Sequence, residues 1–203
     1  MYQIYCIRGA KRYVIQVVNL TNLSLNLIWQ GLRVEIIRPL LGEESFWQLE
    51  SLNKEYMDEV TDYLFTVEQW QIYELILIGN LYLFMDIALL HRMGQEIVAK
   101  YSKDGANKGL VIITLLNIWE TCIHREALEV AEYYKNSILP LIADETMLYE
   151  RNLYHFLLGL YHFKCGKKEL GTAQMEQAIQ IYEWLDCGNL ARNYRDDKKK
   201  YAK

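Results

Sequence analysis

Only 2 of the 203 residues are proline and 11 are glycine. A β-sandwich strung on tight turns draws far more heavily on both residue types, so long uninterrupted helices are open to this chain. Cysteine is scarce as well. Cys6, Cys122, Cys165 and Cys187 include no C-x-x-C pair, which removes the commonest zinc and redox spacings. Four free thiols fit a reducing cytosol. There is no basic excess either: the net charge of −4 has the wrong sign for a dedicated nucleic-acid binder. The run Lys198-Lys199-Lys200 is too short to reverse that and reads as a solvated helix end. No long hydrophobic run occurs. The most apolar stretch, Leu75–Met85, contains Asn80, is bounded by Glu74 and Asp86, and is too short to span a membrane. Arg8, Lys11 and Arg12 break up the N-terminus, so no secretory signal is expected and the chain is placed in the cytoplasm. There is no G-x-S-x-G, P-loop or dinucleotide fingerprint. Glu43-Glu44 and Asp196-Asp197 read as solvated pairs. No enzyme, cofactor or metal is expected.

What the chain has is core-forming material: 52% hydrophobic residues, with 16 Tyr and 5 Trp. From residue 53 onward the periodicity is helical. Thr66 is expected to cap a helix running to about Leu83, with Gln69 returning the bond and Phe65 and Trp70 closing a hydrophobic staple. Trp70, Tyr73, Leu77 and Phe84 would share one face of it. Further helices are expected over 86–102, 108–122, 125–139, 145–165, 168–185 and 189–202. Asn107 is a cap candidate, and Asp144-Glu145 would meet a helix N-terminus. Gly166 and Gly188 stand where helices need a left-handed stop. Gly79-Asn80, Asn117 and Gly159 recur 37 to 42 residues apart in alternate helices. A period of about 40 residues with two helices per unit predicts a TPR-like or HEAT-like stack, whose first helices line a concave side. Leu20–Ile37 is readable as a helix broken at Pro39 and Gly42, while the β-branched Tyr13–Val18 remains ambiguous between strand and helix.

Asp62–Asn80 reads DYLFTVEQWQIYELILIGN and resembles the C-terminal domain of the Rgg/GadR/MutR family. The resemblance lies at Asp62, Tyr63, Leu64, Phe65, Glu68, Trp70, Tyr73, Glu74, Leu77, Gly79 and Asn80. Asn107–Asn117 and Tyr149–Leu185 agree in order. The resemblance covers residues 53–203, taken as the helical-repeat regulatory domain. Residues 1–52 match poorly and are taken as a degenerate first repeat. It implies an all-α, right-handed superhelical stack of TPR-like helix pairs. It also implies a cytosolic sensor that binds a short hydrophobic signalling peptide in its concave groove and forms a homodimer through the repeats. In intact members a helix-turn-helix precedes this domain. No such pattern precedes it here, so direct nucleic-acid contact from this chain is not expected. Pairing with a full-length relative is a further expectation. A protein-interaction scaffold and a truncated remnant are the competing uses.

Asn117 is the polar candidate, set in the apolar run Leu110–Trp119. A side-chain amide donates and accepts at once and can clamp a peptide backbone. Leu110, then Ile113 or Thr114, then Asn117 form a helical stripe, which the resemblance places on the groove. The alternative is an amide bonding between helices. Asn80 follows Gly79, where close helix packing is the competing account. Leu83 stands where some peptide-responsive relatives carry an arginine able to pair with an acidic peptide residue. Leu83 cannot, so the chain reads another peptide or has lost the response. Tyr149 opens a helix at a position near the groove in relatives, with core packing as its alternative. His155 and His162 lie seven residues apart, roughly 10 Å along a helix, too far to share a zinc ion even with Cys165 nearby. His91 and His124 read as surface or loop residues.

Overall fold

Helix follows helix through the residues the structure describes. This computed structural model describes residues 61–67, 72–82, 85–101 and 107–201, all within a compact unit that begins at Glu59. A helical segment, 61–66, is followed by α1 (Ile72–Leu81), α2 (Ile87–Tyr101), α3 (Lys108–His124), α4 (Leu128–Ile138), α5 (Leu148–Lys164), α6 (Lys168–Trp184) and α7 (Gly188–Tyr201). No strand occurs among the described residues. The expectations for residues 1–52, and for Trp70, Leu83 and Phe84, lie outside them.

Three of the junctions are built alike. After α3, α5 and α6, one residue takes a left-handed backbone: Glu126 (φ 58), Gly166 (φ 85) and Asp186 (φ 55). Each time the amide of that residue donates to the carbonyl three back, and the next amide donates to the carbonyl five back. The bonds are Glu126 N to Ile123 O and Ala127 N to Cys122 O, then Gly166 to Phe163 and Lys167 to His162. The last pair is Asp186 to Glu183 and Cys187 to Tyr182. This double bond satisfies carbonyls that a helix end otherwise leaves open. The carbonyls of Ala127, Lys167 and Cys187 then accept the first bond of the next helix. One residue per junction reverses the chain, so consecutive helices pack as antiparallel hairpins.

The hairpins share a core. α1 packs on α3 and α3 on α5, so the first helices of successive pairs are neighbours, while α4 lies against α3 and α6 against α5. Trp119, Phe156, Leu115, Leu157 and Ile179 are all but fully buried, each contributing about 1.5–3 kcal/mol by removal from water. α5 and α6 make the tightest approach. A Cβ on Gly159 would lie 2.7 Å from the Gly171 carbonyl oxygen, and one on Gly171 would lie 2.4 Å from that of Gly159. Gly94 of α2 lies under Tyr134, whose hydroxyl would be 2.0 Å from an added Cβ.

Several local expectations are corrected. Thr66 does not open a helix: its hydroxyl donates back to the Tyr63 carbonyl (2.8 Å) at the end of segment 61–66, and α1 starts at Ile72. Phe65 meets the Arg92 guanidinium, 3.8 Å from its ring centre. The buried side of α1 is Leu75, Ile78 and Leu81, with Leu77 half-buried. Asp86 is the side-chain cap that forms, accepting from Leu89 N (2.8 Å); Asn107 makes no such bond. α5 starts at Leu148, after a turn in which Asp144 accepts from the amide and hydroxyl of Thr146. Gly188 is the first residue of α7, and Asp186 takes the left-handed role. Gly79 is not needed for close packing among the described residues, where a Cβ would meet only Thr114 at 3.8 Å. His91 lies in α2 with its ring edge-on to Tyr133 and Tyr134. Counting back from the stops at Glu126 and Gly166, Asn117 aligns with Leu157 and Gly159 with Trp119, so the repeat is in a register two residues from the one expected.

Candidate functional site

The stripe on α3 follows from helical spacing. Leu110, Ile113, Asn117 and Glu120 are all half-buried, whereas Leu115, Leu116 and Trp119 are buried. Of the two alternatives at the middle of the stripe, the structure places Ile113 on it. Thr114 is 2% exposed, faces Gly79 of α1, and spends its hydroxyl on the Leu110 carbonyl (2.8 Å). The Asn117 carbonyl accepts from the Thr121 hydroxyl (2.9 Å), but its side-chain amide bonds to no other described residue. Asn80 falls in the last turn of α1, next to α3. Leu83 lies outside the described residues.

Tyr149, 42% exposed at the start of α5, belongs to a polar aromatic group drawn from three helices. Its ring is 6.4 Å from that of Tyr182 on α6. Tyr182 stacks on Tyr194 of α7 at 5.3 Å and 8°, and Tyr194 meets Phe156 of α5 at 4.7 Å. Asn152, also on α5, donates to the Ala178 carbonyl (3.0 Å). The other half of its amide, Oδ1, and the Tyr182 hydroxyl are buried without a hydrogen-bond partner. Each costs about 1–3 kcal/mol while it stays so. The Asn152 amide and the Tyr194 hydroxyl lie near enough to Tyr182 to favour its ionised form, yet the Tyr182 hydroxyl makes no hydrogen bond of ordinary geometry to either. Burial wins at both phenols and pushes the pKa of Tyr182 and Tyr194 up, so both hydroxyls stay protonated. Glu120 adds to the rise at Tyr194 and at Tyr82, which follows α1, in each case after burial. The carboxylate therefore stands within electrostatic reach of Tyr82, just after α1, and of Tyr194 on α7. Its ionic partner among the described residues is His124, at 3.5 Å.

Glu120, Asn152, Tyr182 and Tyr194 were not singled out from the sequence. Spacing held a signal for two of them: Glu120 lies three residues beyond Asn117, and Asn152 three beyond Tyr149. Tyr182 reaches the group through the stop at Gly166, and Tyr194 through the further stop at Asp186. The histidine pair is occupied otherwise. His155 Nε2 lies 3.3 Å from Gln177 Oε1 and His162 Nδ1 lies 2.7 Å from Gln174 Oε1, both on α6.

Antiparallel helix pairs, joined by repeated left-handed stops and stacked through their first helices, define the class: an all-α helical-repeat domain. The family is settled by comparison. Residues 26–196 match the HTH-type transcriptional regulator Rgg, C-terminal domain, and the chain belongs to this family. The match takes in residues 26–52, half of the segment that the motifs left aside. Two structures of the Streptococcus dysgalactiae SHP pheromone receptor Rgg2 are similar. One, of a cysteine-to-serine variant, has 32% identity and a TM-score of 0.67 over 75% of this chain and 59% of that one. The other has 31% identity and a TM-score of 0.66 over 75% and 60%. The chain thus spans about three-fifths of the length of these receptors. A protein from Listeria monocytogenes EGD-e shares the fold at 17% identity, with a TM-score of 0.66 over 96% of this chain and 73% of that one. No helix among the described residues is long and apolar enough to cross a membrane.

Proposed function

We propose that this domain is a cytoplasmic peptide sensor. It takes a short hydrophobic signalling peptide along the α3 stripe, with Leu110 and Ile113 as apolar contacts, Asn117 as backbone clamp, and Asn80, Leu83 and Tyr149 at the margins. One observation carries the reading: the Asn117 amide has no partner among the described residues, yet sits part-exposed between apolar neighbours on α3. The identity of about a third with pheromone receptors supports it. Peptide would shift the population toward one curvature of a right-handed stack and so act on whatever the domain is joined to, with no DNA contact of its own. Titration against a pool of short apolar peptides, followed by tryptophan fluorescence, tests it. Saturable binding is expected, weakened about fivefold in Asn117→Ala, since a neutral hydrogen bond contributes about 1 kcal/mol. A folded protein that binds no member of the pool overturns the reading.

We also propose that two copies associate through the repeats. α5 and α6 run antiparallel, so Leu148 (66% exposed) lies at the same end as Trp184 (73%) and Leu185 (58%). Large exposed apolar residues gathered at one end support an interface. Replacing Trp184 and Leu185 with serine is expected to shift a dimer to monomer in sedimentation analysis. A monomeric parent protein refutes the proposal. Co-expression with a full-length relative tests mixed dimers by the same surface.

A further inference from the structure

We propose that the Tyr149, Asn152, Tyr182 and Tyr194 group, together with Glu120 of the adjoining helix α3, binds an ammonium group of the peptide, either its free N-terminus or a lysine side chain. This rests on the peptide reading and adds to it the charge of the ligand. Asn152 is 6% exposed and Tyr182 2% exposed, and both present a polar atom with no partner. The donor half of the Asn152 amide is used on Ala178, so the half left over is an acceptor. Phenol oxygens accept as readily as they donate. Both unused atoms can therefore accept from one donor group, and an ammonium brings three hydrogens. Glu120 supplies the opposite charge, and its ionic partner among the described residues is the part-exposed His124, at 3.5 Å. The Tyr149 and Tyr194 rings, centred 6.4 and 5.3 Å from that of Tyr182, add attraction for a cation. Tyr149, part-exposed above the buried pair, is the side by which a ligand group would enter.

The probe is the tightest-binding member of the short apolar peptide pool, made in three forms: unmodified, N-acetylated, and with any lysine replaced by norleucine. One modified form is expected to bind at least tenfold more weakly, and which one it is tells the N-terminus from the side chain. Glu120→Gln, a part-exposed change that keeps the helix, is expected to bring the unmodified peptide down to the level of that modified form. Asn152→Ser, checked for folding by circular dichroism, should do the same. Equal binding of all three forms overturns the inference and leaves the peptide reading standing. So does a tenfold difference that persists in Glu120→Gln. Failure of every peptide to bind removes both.

Discussion

Single hydrogen atoms decide more here than whole side chains do. At Gly159 and Gly171 the α-hydrogens are what let the backbones of α5 and α6 touch. Gly159→Ala sets a methyl against a carbonyl oxygen and a backbone amide that have no freedom to yield. The expected loss is about 3 kcal/mol, the upper part of the usual range for overpacking. Gly79→Ala should act the other way. It finds ordinary contact with Thr114 and removes the entropic cost of a helical glycine, for a gain of roughly 0.5–1 kcal/mol. Urea unfolding of the two variants beside the parent measures both signs. Two glycines of equal promise in the sequence differ because of what faces them, and only the packed structure supplies the facing atoms.

Among elements, the stops carry the geometry. A side chain held in the left-handed region costs about 1–2 kcal/mol, and Asp186 bears that cost where Gly166 does not. Asp186→Gly is expected to raise stability by about 1 kcal/mol and Gly166→Ala to lower it by a similar amount; thermal melting reads both. Glu126 is a poorer target, because its carboxylate also holds Lys164 at 2.9 Å. The sequence announced helices and their order well, since spacings of three and four are a property of the chain itself. From 86 onward the starts and ends lie within a few residues of the expected ones. It was weaker where a residue type has two uses. Thr66 and Asn107 have the chemistry of caps, but Thr66 closes a segment and Asn107 caps nothing through its side chain. The candidate stripe was legible on α3, where Leu110, Ile113 and Asn117 share one helix. The Tyr182 and Tyr194 contributions, brought in by folding, were not.

For the molecule as a whole, protons bear on stability in one direction from neutral pH downward. Burial lowers the pKa of His91, packed against Tyr133 and Tyr134. The unfolded chain takes up a proton at about 6.5 while the folded one resists it. Stability is therefore full above that value and falls as pH drops through it. Carboxylates add to the fall in more acid solution. Glu126 is held below its ordinary value by its bond and charge pairing with Lys164, Glu132 by bonds from Lys135 and Tyr161, and Asp144 by Thr146. Their contributions are present above their ordinary values and lost as pH falls through the lowered ones. Urea midpoints are expected to drop between about pH 7.5 and 5.5, and His91→Gln to flatten that interval.

The repeated stop also bears on how such a chain can lengthen over generations. Glu126 and Gly166 stand 40 residues apart, and Gly166 and Asp186 stand 20 apart. Duplicating a stretch of 40 adds a complete hairpin and returns the chain to the same end, in phase with the next helix. Duplicating 20 adds one helix and sends everything downstream out of the opposite end. Viable length variants should therefore differ by even numbers of helices, counted in steps set by these three residues.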